Sequence, residues 1–487
     1  MSDKQKPFYI TTTLPYANSE LHMGHALEFI RADAVARYQK LQGREVFFNT
    51  GSDEHGMKIL ETAKKQDREV QEYVDFYSQK FQETIKKLGI TDEINFVCTS
   101  DEKHIKCAQE FWRRVQNNGF IYKKSYSAKY CIGCEEEKTD SELVDGKCSM
   151  HPNQELELIE EENYFFKYSE FGEELLKLYE TKPNFVIPEV RLNEVREFVK
   201  RGLRDFSISR LKTKNPWGIP VPDDDDQTMY VWFDALTSYI STLGWPDKAG
   251  NFEQFWLNGE VVQWCGKDNN RFQSAMWQAM LMAANLPNSD HIIINGFITA
   301  EGGVKMSKSL GNGINPLEIV SEHSTDALRY FLLKEISSSE DSPFSRERFL
   351  ASYNAGLANG LGNLVSRVMK MATANSVSLD IGQHISHGEW DAIETNYHQA
   401  FASYDLRQAT NAVWELIAWA DKFVQDNKPY STIKTDRAQG EAQLQTLLHC
   451  LTLIAKLLQP LLPETAERIK TLIEINQMPE NPIFLRI

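Results

Sequence analysis

Strand-like and helix-like segments alternate at the start of this 487-residue chain. Residues 8–13, FYITTT, are aromatic and β-branched, which is typical of a buried strand. Apolar residues at helical spacing follow from Ala26 to Leu41, and a second strand-like run, EVFFNT, covers residues 45–50. The order strand, helix, strand predicts the start of a parallel α/β sheet.

The amino-acid composition changes from about Gly119 to Pro222, where cysteines, glutamates and aromatic residues are frequent. Strand-like runs return at residues 229–233, 261–265 and 291–294, with a helical stretch at 271–284, so we predict a sheet that is split by an insertion. Beyond about Ser345 the strand-like runs stop and periodic apolar positions continue to about Glu474. This pattern predicts an all-helical C-terminal domain.

Composition excludes some classes of protein. No apolar run reaches the roughly 18 residues that cross a bilayer, and the N-terminus lacks the features of a signal peptide, so we expect a cytoplasmic protein without a membrane partner. The formal charge of −16 argues against an indiscriminately basic nucleic-acid binder. From residue 341 onward, however, 13 Lys and Arg face 16 Asp and Glu, a balance of 13 − 16 = −3, so most of the acidity lies elsewhere.

Three of the seven cysteines cluster in the presumed insertion. Cys131 and Cys134 form a C-x-x-C pair, thirteen residues follow, and Cys148 and His151 form a C-x-x-H pair. Two such pairs suit tetrahedral zinc held by three thiolates and one imidazole. Four protein ligands leave no open position, so we predict one structural zinc ion per chain.

Two short motifs have the character of phosphate-binding sites. His22, Gly24 and His25 lie in HMGH between the first strand and the first helix, where a helix N-terminus and two imidazoles can meet phosphate oxygens. Lys305, Ser307 and Lys308 lie in KMSKS after the strand at 291–294, in a glycine-flanked cationic loop. Such a loop can stabilise negative charge that develops on pyrophosphate.

Together these two motifs resemble the signatures of class I aminoacyl-tRNA synthetases, and the chain is most similar to the methionyl-tRNA synthetase family. The resemblance extends over the segments LPYANSELHMGHALEFIRADAVARYQ, GSDEHG, YCIGC with CSMH, YVWFDALTSYI, GKDNNRFQSAMW and GFITAEGGVKMSKSLGN. It implies an α/β fold in which a Rossmann-type parallel sheet is split by a zinc-binding insertion and followed by an all-α anticodon-binding helix bundle. We expect the following domains: the first half of the catalytic domain at 1–117, the connective-peptide insertion at 118–227, the second half of the catalytic domain at 228–296, the KMSKS and stem-contact region at 297–348, and the anticodon-binding domain at 349–487.

The resemblance also implies an activity. A methionine–tRNA ligase activates methionine with ATP and Mg²⁺ to methionyl-adenylate, and then transfers methionine to the 3′-terminal ribose of tRNA(Met), both initiator and elongator. The implied catalytic residues are His22, His25, Asp53, Lys305 and Lys308. The implied ATP-binding residues are His22, Gly24, His25, Gly266, Asp268, Lys305, Ser307 and Lys308.

Aromatic walls suit the flexible, polarizable methionine side chain, and Asp53 at a strand end suits the substrate ammonium group. Positions that match the methionine site of the family are Thr13, Leu14, Tyr16, Asp53, Trp232, Ala235, Leu236, Tyr239, Gln273 and Trp277. Gln273 stands where the family commonly has His, so it keeps a hydrogen-bond donor but cannot become cationic. Arg210 resembles a family arginine near the active site.

The helical domain carries a weaker signal. Asn363 and Arg367 are four residues apart, on one helix face, and match the anticodon-reading pair of the family. Tyr430, in NKPY, stands where the family usually has a stacking Trp, and its ring can still stack on a base.

Two alternatives remain at this stage. A class I synthetase for Leu, Ile or Val carries a long editing insertion, for which this chain has little room, and a cysteine enzyme would place metal in the active site. A synthetase-like RNA-binding protein without charging activity would not need HMGH, KMSKS, Asp53 and Asp268 intact. Because the sequence ends in the helical domain without a further RNA-binding domain, we expect a monomer.

Overall fold

The computed structural model describes residues 5–138, 142–303, 314–382, 385 and 387–487. Internal contacts divide the chain into two compact units. The first comprises residues 1–21, 43–84 and 92–294, and the second comprises 22–42, 85–91 and 295–487.

Most of the described strands lie in the first unit, and β16 and β17 lie in the second. Within the described residues the strands are, in chain order, β1 (Phe8–Thr12), β2 (Val46–Ser52), β3 (Ile94–Cys98), β4 (Ile121–Cys131), β5 (Glu136–Lys138), β6 (Leu143–Val144), β7 (Lys147–Cys148), β8 (Glu157–Phe166), β9 (Val186–Ile187), β10 (Phe206–Ser207), β11 (Ser209–Leu211), β12 (Pro220–Val221), β13 (Asp224–Met229), β14 (Glu260–Gly266), β15 (His291–Asn295), β16 (Ile298–Thr299) and β17 (Ser342–Pro343).

Helices connect these strands and form most of the second unit. In the described part of the chain they are α1 (Met23–Leu41), α2 (Met57–Lys65), α3 (Val70–Lys87), α4 (Glu102–Asn117), α5 (Gly172–Thr181), α6 (Glu189–Lys200), α7 (Val231–Ala235), α8 (Ser238–Ser241), α9 (Trp277–Ala283), α10 (Pro316–Glu322), α11 (Thr325–Lys334), α12 (Arg346–Ser352), α13 (Asn363–Ala374), α14 (Gly388–Ala402), α15 (Leu406–Asn427), α16 (Pro429–Thr435), α17 (Arg437–Leu458) and α18 (Pro463–Glu474). Three π-helical segments add to them: Glu253–Leu257, Phe272–Met276 and Tyr353–Gly362.

A six-stranded sheet with the order β3-β2-β1-β14-β15-β9 is the centre of the first unit. β1 pairs in parallel with both β2 and β14, β2 pairs in parallel with β3, and β15 pairs in parallel with β9. Every residue of β1 is buried, as expected for a central parallel strand that is covered on both faces. The strand order reverses between β1 and β14, and in open α/β sheets this switch point is where ligands bind, beyond the carboxyl ends of the strands. The predicted Rossmann-type sheet is therefore confirmed.

The insertion divides this sheet, as the sequence predicts, because β3 precedes it and β14 follows it. Its long strands β4 and β8 pair antiparallel within a four-stranded sheet of order β10-β8-β4-β5, and β13 pairs with β11 and β12. The insertion also lends the two-residue strand β9 to the edge of the parallel sheet, a contribution too short to leave a sequence pattern.

One strand prediction is wrong. The apolar run MYVWF at residues 229–233 is not a strand, because β13 ends at Met229 and helix α7 begins at Val231. Tyr230 between them has extended backbone angles and donates its N–H to Ile208 O at 2.8 Å. Four of the five residues in this run are buried. So short an apolar run has no period, and its sequence cannot distinguish a strand from one helical turn. The predicted strands at 8–13, 45–50, 261–265 and 291–294 are confirmed.

The second unit is helical from α12 onward within the described residues, which confirms the predicted helical domain. A buried ion pair connects helix α1 with α11, since Arg329 Nη1 lies 2.7 Å from Asp33 Oδ2. Arg329 also donates to the carbonyls of Pro460 and Leu461, just beyond α17. None of the described helices is long and apolar enough to span a membrane.

Candidate active site

The two histidines of HMGH shape the N-terminus of α1 in the second unit. His22 is the N-cap: its Nδ1 accepts the Gly24 N–H at 3.1 Å, and His25 Nδ1 accepts the His22 N–H at 3.2 Å. The two rings stack with centroids 3.8 Å apart. A neutral imidazole that accepts at Nδ1 carries its proton on Nε2, so each ring has a donor for a phosphate oxygen.

Gly24 is required by this arrangement. A Cβ at Gly24 would lie 2.9 Å from Cε1 of His22, so a side chain here would push the capping ring away. The other predicted phosphate-binding motif, KMSKS with Lys305, Ser307 and Lys308, lies outside the described residues.

Asp53 follows β2 in the first unit, beside the switch point of the sheet. It is paired with the segment after β1: Asp53 N–H donates to Pro15 O and Ala17 N–H donates to Asp53 O, both at 2.9 Å. Its carboxyl is buried, and Oδ1 has no hydrogen-bond partner among the described residues. Burial raises the pKa of the Asp53 carboxyl well above its ordinary value, and the carboxylates of Asp234 and Glu135 add to this effect. A buried carboxyl in this state is stabilised as an anion when a cation binds beside it.

Aromatic side chains from α7, α8, α9 and the π-helical segment 272–276 form the apolar part of the predicted site. Trp232 stacks on Phe272 with centroids 4.0 Å apart, and Tyr239 meets Trp277 edge to face at 6.0 Å. Gln273 donates from Nε2 to the Tyr239 hydroxyl oxygen.

The remaining predicted residues of the methionine site follow β1 or lie at the end of α7. Thr13 and Leu14 follow β1 and are half-buried, whereas Ala235 and Leu236 are buried at the end of α7. Five buried polar atoms in this set have no hydrogen-bond partner among the described residues: Tyr16 Oη, Asp53 Oδ1, Trp232 Nε1, Gln273 Oε1 and Trp277 Nε1. Because buried polar groups are nearly always paired, a bound ligand that offered partners to these five atoms would be stabilised here.

A histidine–aspartate network ties the parts of this site together, and the sequence analysis missed it. Asp234, in α7 next to Trp232, has Oδ2 2.7 Å from His55 Nδ1 and Oδ1 2.7 Å from His104 Nε2. Burial opposes ionisation of Asp234, but His55 and His104 hold its pKa below the ordinary value. His55 is two residues after Asp53, so this network holds the Asp53 loop against α7. Asp234 and His55 stand in the motifs WFDA and GSDEHG, but no sequence pattern shows that they pair, because the partners are far apart in the chain.

The predicted adenosine contacts follow β14. Gly266 ends the strand, and Asp268 is exposed in a one-turn 3-10 helix, residues 267–269. A Cβ at Gly266 would lie 2.7 Å from Asp268 Oδ1, so this glycine lets the carboxylate fold back over the strand end.

Arg210 is buried in the insertion. It donates to Ser207 Oγ at 2.7 Å, and its guanidinium lies 4.8 Å from the centroid of the Tyr130 ring and 5.2 Å from that of Tyr230. Its neighbours are thus the residues around the cysteine cluster.

The four predicted metal ligands converge, and we call Cys131, Cys134, Cys148 and His151 the Cys3His cluster. Their ligand atoms all lie within 4.8 Å of one another, with Cys134 Sγ 3.2 Å from His151 Nδ1 and 3.5 Å from Cys148 Sγ. Three sulfurs and one imidazole nitrogen at these separations fit a tetrahedral zinc ion. Burial opposes ionisation of Cys148, yet hydrogen bonds from the Met150 N–H, the Cys134 thiol and the His151 N–H keep its pKa below the ordinary value. Burial and the same hydrogen bond raise the pKa of Cys134 to about 12.

The predicted anticodon residues lie on the described helices of the second unit. Asn363 begins α13 and is exposed, and Arg367 one turn later pairs with Asp421 of α15 at 2.9 Å. Tyr430 is 51% exposed near the start of α16, where Lys428, with φ of 48°, turns the chain from α15 into α16. An exposed ring and a half-exposed guanidinium are groups that can stack on or hydrogen-bond to unpaired bases.

The chain is similar to known proteins over nearly its whole length. The model of class I tRNA synthetases (M) matches residues 8–157 and 131–369, and the model of the anticodon binding domain of methionyl tRNA ligase matches residues 387–481. A methionine–tRNA ligase of Brucella suis is 37% identical over 97% of this chain and 92% of its own length, and that of Thermotoga maritima is 37% identical over 97% and 76%. The solved structure of Mycobacterium tuberculosis methionyl-tRNA synthetase in complex with methionyl-adenylate superposes with a TM-score of 0.91 at 32% identity, covering 99% of this chain and all of that one. The chain belongs to the methionyl-tRNA synthetase family of class I aminoacyl-tRNA synthetases.

Proposed function

We propose that this chain is a methionine–tRNA ligase that uses ATP. The observation that carries the proposal is the buried Asp53 carboxyl, unpartnered at Oδ1 among the described residues, at the switch edge of the sheet. The similarity to methionine–tRNA ligases over nearly the whole chain supports the same activity.

In the first step, an oxygen of the methionine carboxylate attacks the α-phosphorus of ATP, a P–O bond forms, and pyrophosphate leaves. Asp53 holds the methionine ammonium, and Trp232, Tyr239 and Trp277 surround the side chain. His22 and His25 donate from Nε2 to phosphate oxygens at the N-terminus of α1. Catalysis of this kind consists mainly of positioning and of electrostatic stabilisation, so it requires no protein nucleophile.

Other residues take part through the nucleotide. Asp268 accepts from a ribose hydroxyl next to Gly266. Lys305, Ser307 and Lys308 would hold the leaving pyrophosphate, and Mg²⁺ bound with ATP would supply further positive charge. In the second step, a hydroxyl of the terminal ribose of tRNA(Met) attacks the methionyl carbonyl and AMP leaves.

Zinc in the Cys3His cluster has a structural role in this proposal. With four protein ligands it offers no open position to a substrate. It supplies folding energy to an insertion whose strands β5, β6 and β7 are only two or three residues long.

We propose the domain boundaries given above, a monomeric state, and a cytoplasmic location with tRNA(Met), both initiator and elongator, as the macromolecular partner. The near-neutral charge balance of residues 341–487 supports tRNA contact in this part of the chain, since less charge repels the phosphates there than elsewhere.

The activity is tested by ATP–pyrophosphate exchange against all twenty amino acids. We expect exchange with methionine, because the aromatic site and the Asp53 carboxyl match its thioether and its ammonium. Exchange with a different amino acid, and none with methionine, would reject this substrate in favour of another class I specificity. Exchange with no amino acid at all would favour an RNA-binding protein without charging activity.

The anticodon residues are tested separately. Replacing Arg367 or Tyr430 with Ala should lower kcat/KM for charging tRNA(Met) by about 5- to 150-fold each, because stacking of one base contributes about 1–3 kcal/mol. Pyrophosphate exchange, which needs no tRNA, should be unchanged. The exposed Lys422 of α15, replaced with Ala, is the matched control. Normal charging by both folded variants would show that these residues do not read the anticodon.

A further inference from the structure

Glu135 follows Cys134, the second cysteine of the Cys3His cluster, and its carboxylate contacts residues outside the cluster. Its φ of 55° is left-handed, and the residue is only 2% exposed. The left-handed region is uncommon for a residue with a side chain, so the surrounding structure has to fix this conformation. A buried carboxylate here also needs partners.

Those partners lie at the N-terminus of helix α2. Glu135 Oε1 accepts the backbone N–H of Lys58 at 2.8 Å, and Oε2 accepts the Tyr130 hydroxyl at 2.5 Å. Helix α2 begins at Met57 with Gly56 as its N-cap, and Gly56 has no side chain that could satisfy the first free N–H groups. Glu135 therefore caps this helix from 77 residues further along the chain, and its negative charge faces the positive end of the helix.

The approach is close enough to dictate the residue at position 56. A Cβ at Gly56 would lie 2.9 Å from Glu135 Oε1, and the φ of Gly56 is +114°. Glycine is the residue that both conditions allow. Glu135 is held in turn by the Tyr230 hydroxyl, which donates to its carbonyl oxygen at 2.5 Å.

This cap determines where the Asp53 loop ends. The loop leaves β2 at Ser52 and enters α2 at Met57, with Asp53 fixed at one end by its hydrogen bond to Pro15 O. The Lys58–Glu135 hydrogen bond fixes the other end. His55, between these two ends, is also held by Asp234. The Lys58–Glu135 hydrogen bond adds a restraint at the α2 end of the loop, and we expect the direction of the Asp53 carboxyl to depend on it.

We infer that Glu135 is a positioning residue for methionine binding, which couples the Cys3His cluster to the Asp53 loop by capping helix α2. The inference rests on the proposed function for the role of Asp53. Through the Glu135 side chain, the insertion thus influences how the Asp53 loop binds methionine.

The test uses the zinc-loaded full chain and compares E135A with E135Q. Loss of the cap should raise the KM for methionine in pyrophosphate exchange by about tenfold in E135A, with kcat and the KM for ATP within about twofold of wild type. Glutamine keeps an oxygen that accepts the Lys58 N–H, and its amide can donate to the Tyr130 hydroxyl oxygen, so E135Q should restore most of the affinity. The exposed Glu157 of β8, replaced with Ala, is the matched control.

Two readouts separate positioning from other causes. The zinc content should stay at that of wild type in both variants, and the Lys58 amide should exchange its hydrogen faster in E135A but not in E157A. Unchanged methionine KM in zinc-loaded E135A would overturn the inference, as would a KM effect that occurs only together with zinc loss. Where E135A does not fold, E135D replaces it: its carboxylate is one methylene too short to reach Lys58, so the same rise in KM is expected.

The amide measurement requires no substrate. A wild-type protein without methionine-dependent exchange would reject the proposed function, whereas faster exchange at the Lys58 amide of E135A would still show the cap. Slow exchange at that amide in E135A would reject the cap itself, whatever the activity.

Discussion

Replacing Asp53 with Asn should lower kcat/KM for methionine in pyrophosphate exchange by about 30- to 5,000-fold. Removing one charge of a buried ion pair costs about 2–5 kcal/mol, because the other charge then lacks its partner in a site without water. Here the unpartnered charge is the substrate ammonium. The KM for ATP should change little, since Asp53 does not lie among the residues assigned to phosphate or ribose.

The exposed Asp92, replaced with Asn, is the matched control for this variant. If D53N activates methionine as well as D92N does, Asp53 does not bind the ammonium group. Methionine protection against hydrogen exchange around Tyr16, whose backbone pairs with Asp53, provides a readout of binding without catalysis.

The same site should show a pH dependence with a definite sign. Burial, together with the nearby carboxylates of Asp234 and Glu135, raises the pKa of Asp53, so lowering the pH protonates the free site first. Methionine binds the ionised carboxylate, and its affinity should therefore fall as the pH falls through that raised pKa. D53N should remove this dependence, because an amide does not titrate.

Replacing Cys148 with Ala should remove zinc from the chain and unfold the segment around the Cys3His cluster. We expect about one zinc per chain in the wild type and close to none in C148A, as measured by metal analysis. The apparent binding free energy of structural zinc is about 10–16 kcal/mol in small domains, and here it stabilises short strands that have little apolar core of their own. Residues 131–151 should accordingly become sensitive to protease in C148A and in chelator-treated wild type.

Gly133 offers a second test of the same geometry. A Cβ at this position would lie 2.6 Å from Cγ of His151, so G133A should displace the imidazole ligand and weaken zinc binding although no ligand is removed. The matched control is C98A, which removes a half-buried thiol outside the cluster. Full zinc content in both C148A and G133A would mean that the metal is not bound by these four residues.

The net charge of −16 does not exclude binding of one particular RNA. It argues against a chain that binds any polyanion, but residues 341–487 carry only −3 of it. Within the described part of that region, the half-exposed Arg367 pairs with Asp421. This ion pair fixes the orientation of the guanidinium and partly neutralises its charge. We therefore expect tRNA binding that is selective and sensitive to salt.

Local chemistry explains which predictions are confirmed. Strands β1, β2, β14 and β15 were predictable because a buried parallel strand is a short run of apolar and β-branched residues bounded by turn signals. Helices of the C-terminal domain were predictable because their apolar faces repeat every three to four residues. The strand prediction for residues 229–233 is wrong because an apolar run of five residues fits a buried strand and a buried helical turn equally well.

The sequence by itself determined the class of fold, the members of the Cys3His cluster and the family, because each depends on residues that are close together in the chain. Cys131, Cys134, Cys148 and His151 are fixed by the spacing of two turns, and HMGH forms its own cap. Tertiary structure alone decided how the site is held: His55 and His104 meet Asp234 across 179 and 130 residues, and Glu135 reaches Lys58 across 77. Each of these contacts gives a buried charged group a partner that its own segment lacks. No local sequence pattern predicts such a contact, because the two residues meet only in the folded chain.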